Sequence, residues 1–235
     1  MKKSGFFVAL VILLAVIFSA CSSISSRTVT SSSSVNSSLS LPVASSMPAS
    51  SVTSSVSQVS SSGISTTLPK PEDDPLYAKA YGFYADNDYD KAVSTSESAL
   101  VQNPNAYWAY NIKGIALYFA NGNSYSDKSL ALINKSIDIN PNYSYAYFNE
   151  ALIYKGLKNY DKSLTCFNKV LALKPDDVWS YFGIATVYAD IRETANALDY
   201  LKKAIDLDPT IKQTARTESH FDYLQDNQSF KALVK

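Results

Sequence analysis

Histidine occurs once in these 235 residues, at position 220, and cysteine twice. A metal centre made of several histidines is therefore excluded, and two cysteines do not make a disulfide framework. Glycine numbers only seven, and no glycine-rich loop of the kind that cradles phosphates is present. Nor is there a G-x-S-x-G nucleophile elbow, so a triad would have to combine His220 with a serine of the last segments. Acidic residues are absent before Glu72. From Lys70 on, 21 acids face 18 bases, leaving that part at net −3. Such a balance excludes the basic surface on which nucleic-acid binding depends. Cys166, with no histidine near it in sequence, reads as a small packing residue rather than a reactive thiol.

Long apolar runs are also scarce. One stands out, Phe6 to Phe18, thirteen residues behind Lys2 and Lys3 and ahead of Ser19-Ala20-Cys21. A basic start, a short apolar stretch and small residues are the layout of an export signal. Thirteen residues fall short of the ~20 that span a bilayer. Phe18-Ser19-Ala20-Cys21 resembles a bacterial lipobox. The resemblance implies cleavage after residue 20, a diacylglyceryl group on Cys21, and a chain anchored to the bacterial cell membrane with its bulk outside the cytoplasm. Ordinary cleavage nearby, with Cys21 incidental, is the competing reading. Two acyl chains hold a protein stably where one holds it marginally.

Residues 21–70 form a second compositional block, in which nearly half of Ser22 to Thr67 is serine. Such a stretch buries too little apolar area to offset its ordering entropy, which predicts a disordered tether. As a coil it would reach about 35–40 Å, and fully extended roughly 150 Å.

The second half of the chain is periodic. Pro104, Pro141, Pro175 and Pro209 each close an apolar helical stretch, at separations of 37, 34 and 34. Small residues keep the same register at Ala80, Gly114, Ala151 and Ala185, with bulky ones three further on at Phe83, Leu117, Tyr154 and Tyr188. Two more small series run Ala92, Ser129, Ser163, Ala197 and Ala99, Ser136, Val170, Ala204. Small residues at fixed points let paired helices approach, and large ones fill the space between. A period of this length signals a solenoid, whose units are too small to bury a core alone.

The stretch from Tyr147 to Pro175 resembles a tetratricopeptide repeat: helix, a Lys158-Asn159-Tyr160-Asp161 turn, helix, closing proline. The resemblance implies an all-α right-handed superhelix over residues 71–211, in four units of about 73–106, 107–143, 144–177 and 178–211. The second unit is three residues longer, and Asn121-Gly122-Asn123-Ser124 supplies turn chemistry for a loop extension within 121–126. Residues 212–235 leave the repeat but space Phe221, Leu224, Phe230 and Leu233 at helical intervals, as capping helices do. Asp73-Asp74 and Asp176-Asp177 precede first helices, where carboxylates cap rather than catalyse.

In tetratricopeptide arrays the first helices line a concave groove. Carried over by position, the resemblance places Trp108, Tyr145 and Trp179 at equivalent points along it. Tyr77, Asn111, Phe148 and Phe182 follow three residues on, and Tyr81 stands one turn beyond Tyr77. Tyrosines at 77 and 81 replace the charged and amide groups of a chaperone-tail carboxylate clamp. The rings admit two readings, packing between helices or a partly exposed face for a peptide or helix. The functional expectation is a non-enzymatic scaffold or adaptor that binds a protein partner, without cofactor, metal or nucleic acid. A wall-glycan-binding groove is the alternative.

Overall fold

The computed structural model describes Leu68 and residues 70–235. The signal segment, Cys21 and nearly all of the 21–70 block lie outside the described residues. Ten α-helices make up the described part, with no strand. They are α1 (Pro75–Ala85), α2 (Tyr89–Gln102), α3 (Tyr107–Asn121), α4 (Ser126–Ile139), α5 (Ser144–Gly156), α6 (Tyr160–Leu173), α7 (Val178–Asp190), α8 (Thr194–Leu207), α9 (Ile211–Thr217) and α10 (Gln228–Val234). The first eight pack as consecutive pairs, and α1, α3, α5 and α7 also touch in series. This is an all-α solenoid. No helix among the described residues is long and apolar enough to cross a membrane.

Proline sets the ends of the pairs. Asn103, Asn140, Lys174 and Asp208, each just before a proline, leave the helix for extended backbone with ψ of 98°, 90°, 87° and 102°. Clash with the proline ring disfavours helical ψ at that position, so the helix stops there. Asn103, Asn140 and Asp208 then use a side-chain oxygen to accept the backbone N–H two residues on, at 2.9, 3.1 and 2.9 Å. That bond turns the chain toward the next first helix. Asp74 and Asp177 accept from Leu76 and Ser180 N–H at 2.9 and 2.8 Å, capping α1 and α7.

Inside each pair the turn needs a left-handed residue. Asn87, Lys158 and Arg192 supply it, with φ of 61°, 58° and 64°. The second pair departs from this pattern. Its extra residues lengthen α3 to 15 residues, against 13 in α5 and α7, and then form a 3-10 turn over Gly122–Tyr125. What reads in sequence as a loop extension is thus mostly helical. Tyr118 Oη donates to Asn123 Oδ1 at 3.1 Å and Ser124 Oγ to the Asn121 carbonyl at 2.8 Å, closing it locally.

The small-residue series are the contact points between helices. Ala80, Ala151, Ala185, Ala92, Ser129, Ser163, Ala197, Ala99, Ser136, Val170 and Ala204 are all buried. A Cβ on Gly114 would stand 2.9 Å from the Ser129 carbonyl oxygen, so only glycine lets α3 lie this close to α4. The residues three further on, Phe83, Leu117, Tyr154 and Tyr188, are half-buried, and lysines lie over the rings of Phe83 and Tyr154. The buried positions are one residue later, at Tyr84, Tyr118, Lys155 and Ala189.

α9, a 3-10 turn over Ser219–Leu224, and α10 close the array. Phe221, Leu224, Phe230 and Val234 are buried against the same core as Phe182 and Leu201, while Leu233 is half-buried. A polar cluster also binds this cap to the repeats. Lys155 Nζ lies 2.6 Å from Thr186 Oγ1 and 2.9 Å from His220 Nε2. His220 Nδ1 meets Asp190, and Glu218 Oε1 is 3.8 Å from Nε2. Burial lowers Lys155 to about 8, with Asp190 and Glu218 opposing the shift. A nitrogen pair at this distance shares one proton. With Lys155 charged, Nε2 accepts and Nδ1–H faces Asp190.

Candidate functional site

The groove is built by the first helices. Tyr77, Tyr81 and Tyr84 come from α1, Asn111, Ile112 and Ile115 from α3, and Tyr145, Phe148 and Asn149 from α5. Tyr143 precedes α5, while Lys174, Asp177 and Trp179 close the far end; the groove opens to solvent and its cavity is small, about 50 Å³. Its rings interlock: Tyr77 and Tyr81 are 6.1 Å apart, and Tyr143 and Tyr145 5.9 Å. Lys174 Nζ lies 4.9 Å above the Tyr145 ring.

Six of the eight residues singled out in the sequence line this groove: Tyr77, Tyr81, Asn111, Tyr145, Phe148 and Trp179. Their exposures differ sharply. Tyr145 is 36 % exposed, whereas Trp179 is 7 % and Asn111 2 %. Trp108 does not border the groove. It is 3 % exposed and stands edge-on to Tyr77 at 5.5 Å, locking α1 to α3. Phe182, at 1 %, lies behind Trp179 and against Phe221 of the cap. The equivalent positions 108, 145 and 179 therefore do not present three exposed rings. Trp108 and Trp179 are interhelical packing, and Tyr145 carries the accessible face.

Tyr84, Tyr143, Asn149, Lys174 and Asp177 belong to the groove without having been read from the sequence. Tyr84 was findable, since it continues the Tyr77, Tyr81 stripe at helical spacing. Asn149, one turn beyond Tyr145, was findable in the same way. Tyr143, Lys174 and Asp177 sit on connections, where helical periodicity has no reach.

Polar groups in the groove form a directed chain. Asn149 Nδ2 donates to Asn111 Oδ1 at 3.0 Å, Asn111 hydrogen-bonds the Tyr143 hydroxyl, and Tyr143 bonds Tyr77. The Tyr84 hydroxyl, 3 % exposed as a residue, has no hydrogen-bond partner. Burial raises the phenols: Tyr81 is pushed up to about 12, and Tyr77, Tyr84, Tyr143 and Tyr145 are also raised. All five are thus neutral O–H donors at physiological pH. Cys166 lies elsewhere, donating to Glu150 Oε2 at 3.3 Å, and burial and that carboxylate push its thiol well up. It is not a thiolate nucleophile.

Comparison with known proteins agrees with this architecture. Residues 144–177 and 180–211 each match a tetratricopeptide-repeat model, and these two units are tetratricopeptide repeats. Among solved structures, a thermophilic TPR protein of Thermus thermophilus is 21 % identical with a TM-score of 0.56, over 65 % of this chain and 81 % of that one. MamA of Desulfovibrio magneticus RS-1 is 17 % identical with a TM-score of 0.51, over 67 % and 86 %. At these identities the likeness is one of fold. No curated protein sequence matches the chain.

Proposed function

We propose that this protein is a membrane-anchored scaffold or adaptor that captures a segment of another protein in its groove, outside the cytoplasm. The observation that carries this reading is the continuous groove across α1, α3 and α5, with Tyr145 exposed in it and Tyr77 and Tyr81 half-buried. Aromatic faces offer large contact area at small entropic cost. Two tetratricopeptide repeats in the same solenoid support a binding role, and the absence of a catalytic constellation from the sequence points the same way. The anchor rests on Cys21 and the short apolar run before it, and the serine-rich stretch gives the domain its reach into the envelope.

The test is a photo-crosslinking amino acid placed at position 145 in living cells, compared with one at the exposed Val101 on α2. A discrete protein adduct at 145 but not at 101, identified by mass spectrometry, is the expected result. Adducts of equal pattern at both positions would refute the groove. Mass spectrometry of the mature N-terminus should show a diacylated Cys21; an unmodified terminus elsewhere in the serine-rich stretch removes the anchor from the proposal. Sedimentation with wall polysaccharide, abolished by Tyr145→Ala, would instead favour the glycan reading.

A further inference from the structure

We infer that His220 is a proton-driven switch: in neutral solution it ties the cap to α5 through Lys155, and in mild acid it exchanges that lysine for Glu218. The switch is independent of what the groove binds.

The neutral arrangement has room for one proton on the nitrogen pair. Lys155 Nζ is 2.9 Å from His220 Nε2, and the other imidazole nitrogen meets Asp190. The lysine donates only while Nε2 keeps its lone pair, and an imidazolium has none to offer. Imidazole is the side chain that gains a proton in mildly acid solution. A second proton therefore breaks the Lys155 contact.

The acid arrangement has its partners already in place. Asp190 stays on Nδ1, and Glu218 Oε1 stands 3.8 Å from Nε2. An approach of about 1 Å makes that a charge-assisted hydrogen bond. The displaced ammonium keeps Thr186 Oγ1, 2.6 Å away. Charge favours the exchange as well. With the imidazole neutral, one cation faces the carboxylates of Asp190 and Glu218; with the imidazolium, two cations face two. The other titratable and charged groups around the cluster are Lys158 and Tyr160 after α5, Arg192 after α7, and Asp222 and Tyr223 of the cap. Lys158 and Asp222 are exposed, and Arg192 lies 4.0 Å over the Tyr223 ring. Lys155, Glu218 and the His220 side chain are each more than nine-tenths buried, which leaves little water to stand in for a lost partner.

Position gives the exchange its consequence. In neutral solution the imidazole is held from α5 and α7 together, so the cap turn joins the third and fourth units. In acid both its bonds lie within the fourth unit and the cap. Phe148 and Trp179, at the far end of the groove, also line the small cavity that Lys155, Glu218 and His220 border. The exchange thus takes place directly behind that wall.

His220 is the sole histidine, so its imidazole signals need no assignment in an untagged full chain. The experiment is NMR of that chain in detergent, with isotope-labelled histidine and lysine, from pH 7.5 to 5.0. At pH 7.5 the ring should carry its proton on Nδ1 alone and show nuclear Overhauser contacts to the Lys155 side chain. At pH 5.0 both nitrogens should be protonated and those contacts reduced at least threefold. Two substitutions should move the transition in opposite directions. Lys155→Met should reach the doubly protonated ring at about three- to tenfold lower proton concentration, and Glu218→Gln should need three- to tenfold more. Any other protonation pattern at pH 7.5 overturns the switch. So does a ring that takes no second proton by pH 5.0, or an imidazolium that keeps its Lys155 contacts. Substitutions that move the transition in the same direction overturn the competition between lysine and glutamate. The parent spectra are decisive without any substitution, so a variant that does not fold leaves the test intact.

Discussion

From α1 to α4 the buried rings carry polar atoms, at Tyr84, Tyr107, Trp108 and Tyr118; from α6 onward, Trp179 apart, they are plain, at Phe167, Phe182, Phe221 and Phe230. Both regions use the same helix pairs and the same buried small residues, and they meet on α5. There Ala146 and Ile153 join the first core while Phe148 and Ala151 join the second. The units matched by the repeat models, 144–177 and 180–211, run from the shared α5 through the second region. Backbone geometry therefore depends on where side chains must be small, and leaves the large positions open. The first region uses that latitude for polar rings, of which Tyr84 borders the groove. The second uses it for dry packing and for attaching the cap.

The largest expected effects test whether the two regions are equally committed to packing. Trp108→Ala and Trp179→Ala, one in each region, should each cost about 3–5 kcal/mol in urea unfolding. A near-parental midpoint for Trp108→Ala alone would show that the first region is looser than its burial implies. Overpacking comes next: Ala80→Leu and Ala185→Leu stand at equivalent contacts, and each should cost roughly 1–3 kcal/mol, read as a lowered thermal midpoint. Unequal losses would reveal which core yields.

The charge at position 155 separates the regions by pH. Lys155 titrates near 8 when folded against 10.5 for an ordinary lysine, so the folded chain holds fewer protons across that window and gains stability as pH rises through it. Between pH 7.5 and 9.5 the parent should gain about 1–2 kcal/mol relative to Lys155→Met. The raised Cys166 thiol acts with the opposite sign but is common to both proteins. Parallel pH profiles would contradict the buried charge. The smallest effect is at the turns. Lys158→Gly should stabilise by about 0.5–1 kcal/mol, since glycine takes positive φ without strain. Asn87→Gly should gain only a few tenths, because asparagine tolerates that conformation.

Most of the fold was legible because it rests on local rules. Proline stops helices wherever it falls, and an alanine or serine at a fixed phase marks a contact whatever its neighbours are. The bulky series at Phe83, Leu117, Tyr154 and Tyr188 was off by one residue, because adjacent positions on a helix share the border of a buried face. The site was harder. Trp108 and Trp179 occupy groove positions by phase yet pack against neighbouring rings, at Tyr77 of the preceding unit and Phe182 on the same helix. Burial of that kind depends on how closely units stack, which no single helix encodes. The Lys155–His220 contact joins residues 65 apart through the return path of the cap, and no periodicity announces it.

That contact has a consequence for how the array ends. Along one register the buried side chains are Tyr84, Tyr118, Lys155 and Ala189, so an amine appears only in the unit before the last. Its partners come from α7 and from the turn carrying Glu218 and His220. A further repeat grafted after Pro209 would cover the apolar face as well as the cap does. It would leave the buried lysine without the imidazole that links it to Asp190, and an amine stripped of a hydrogen-bond partner in the interior is costly. The molecule thus counts its own units: a hydrophobic end accepts any extension, whereas an ionic one recognises a single terminator.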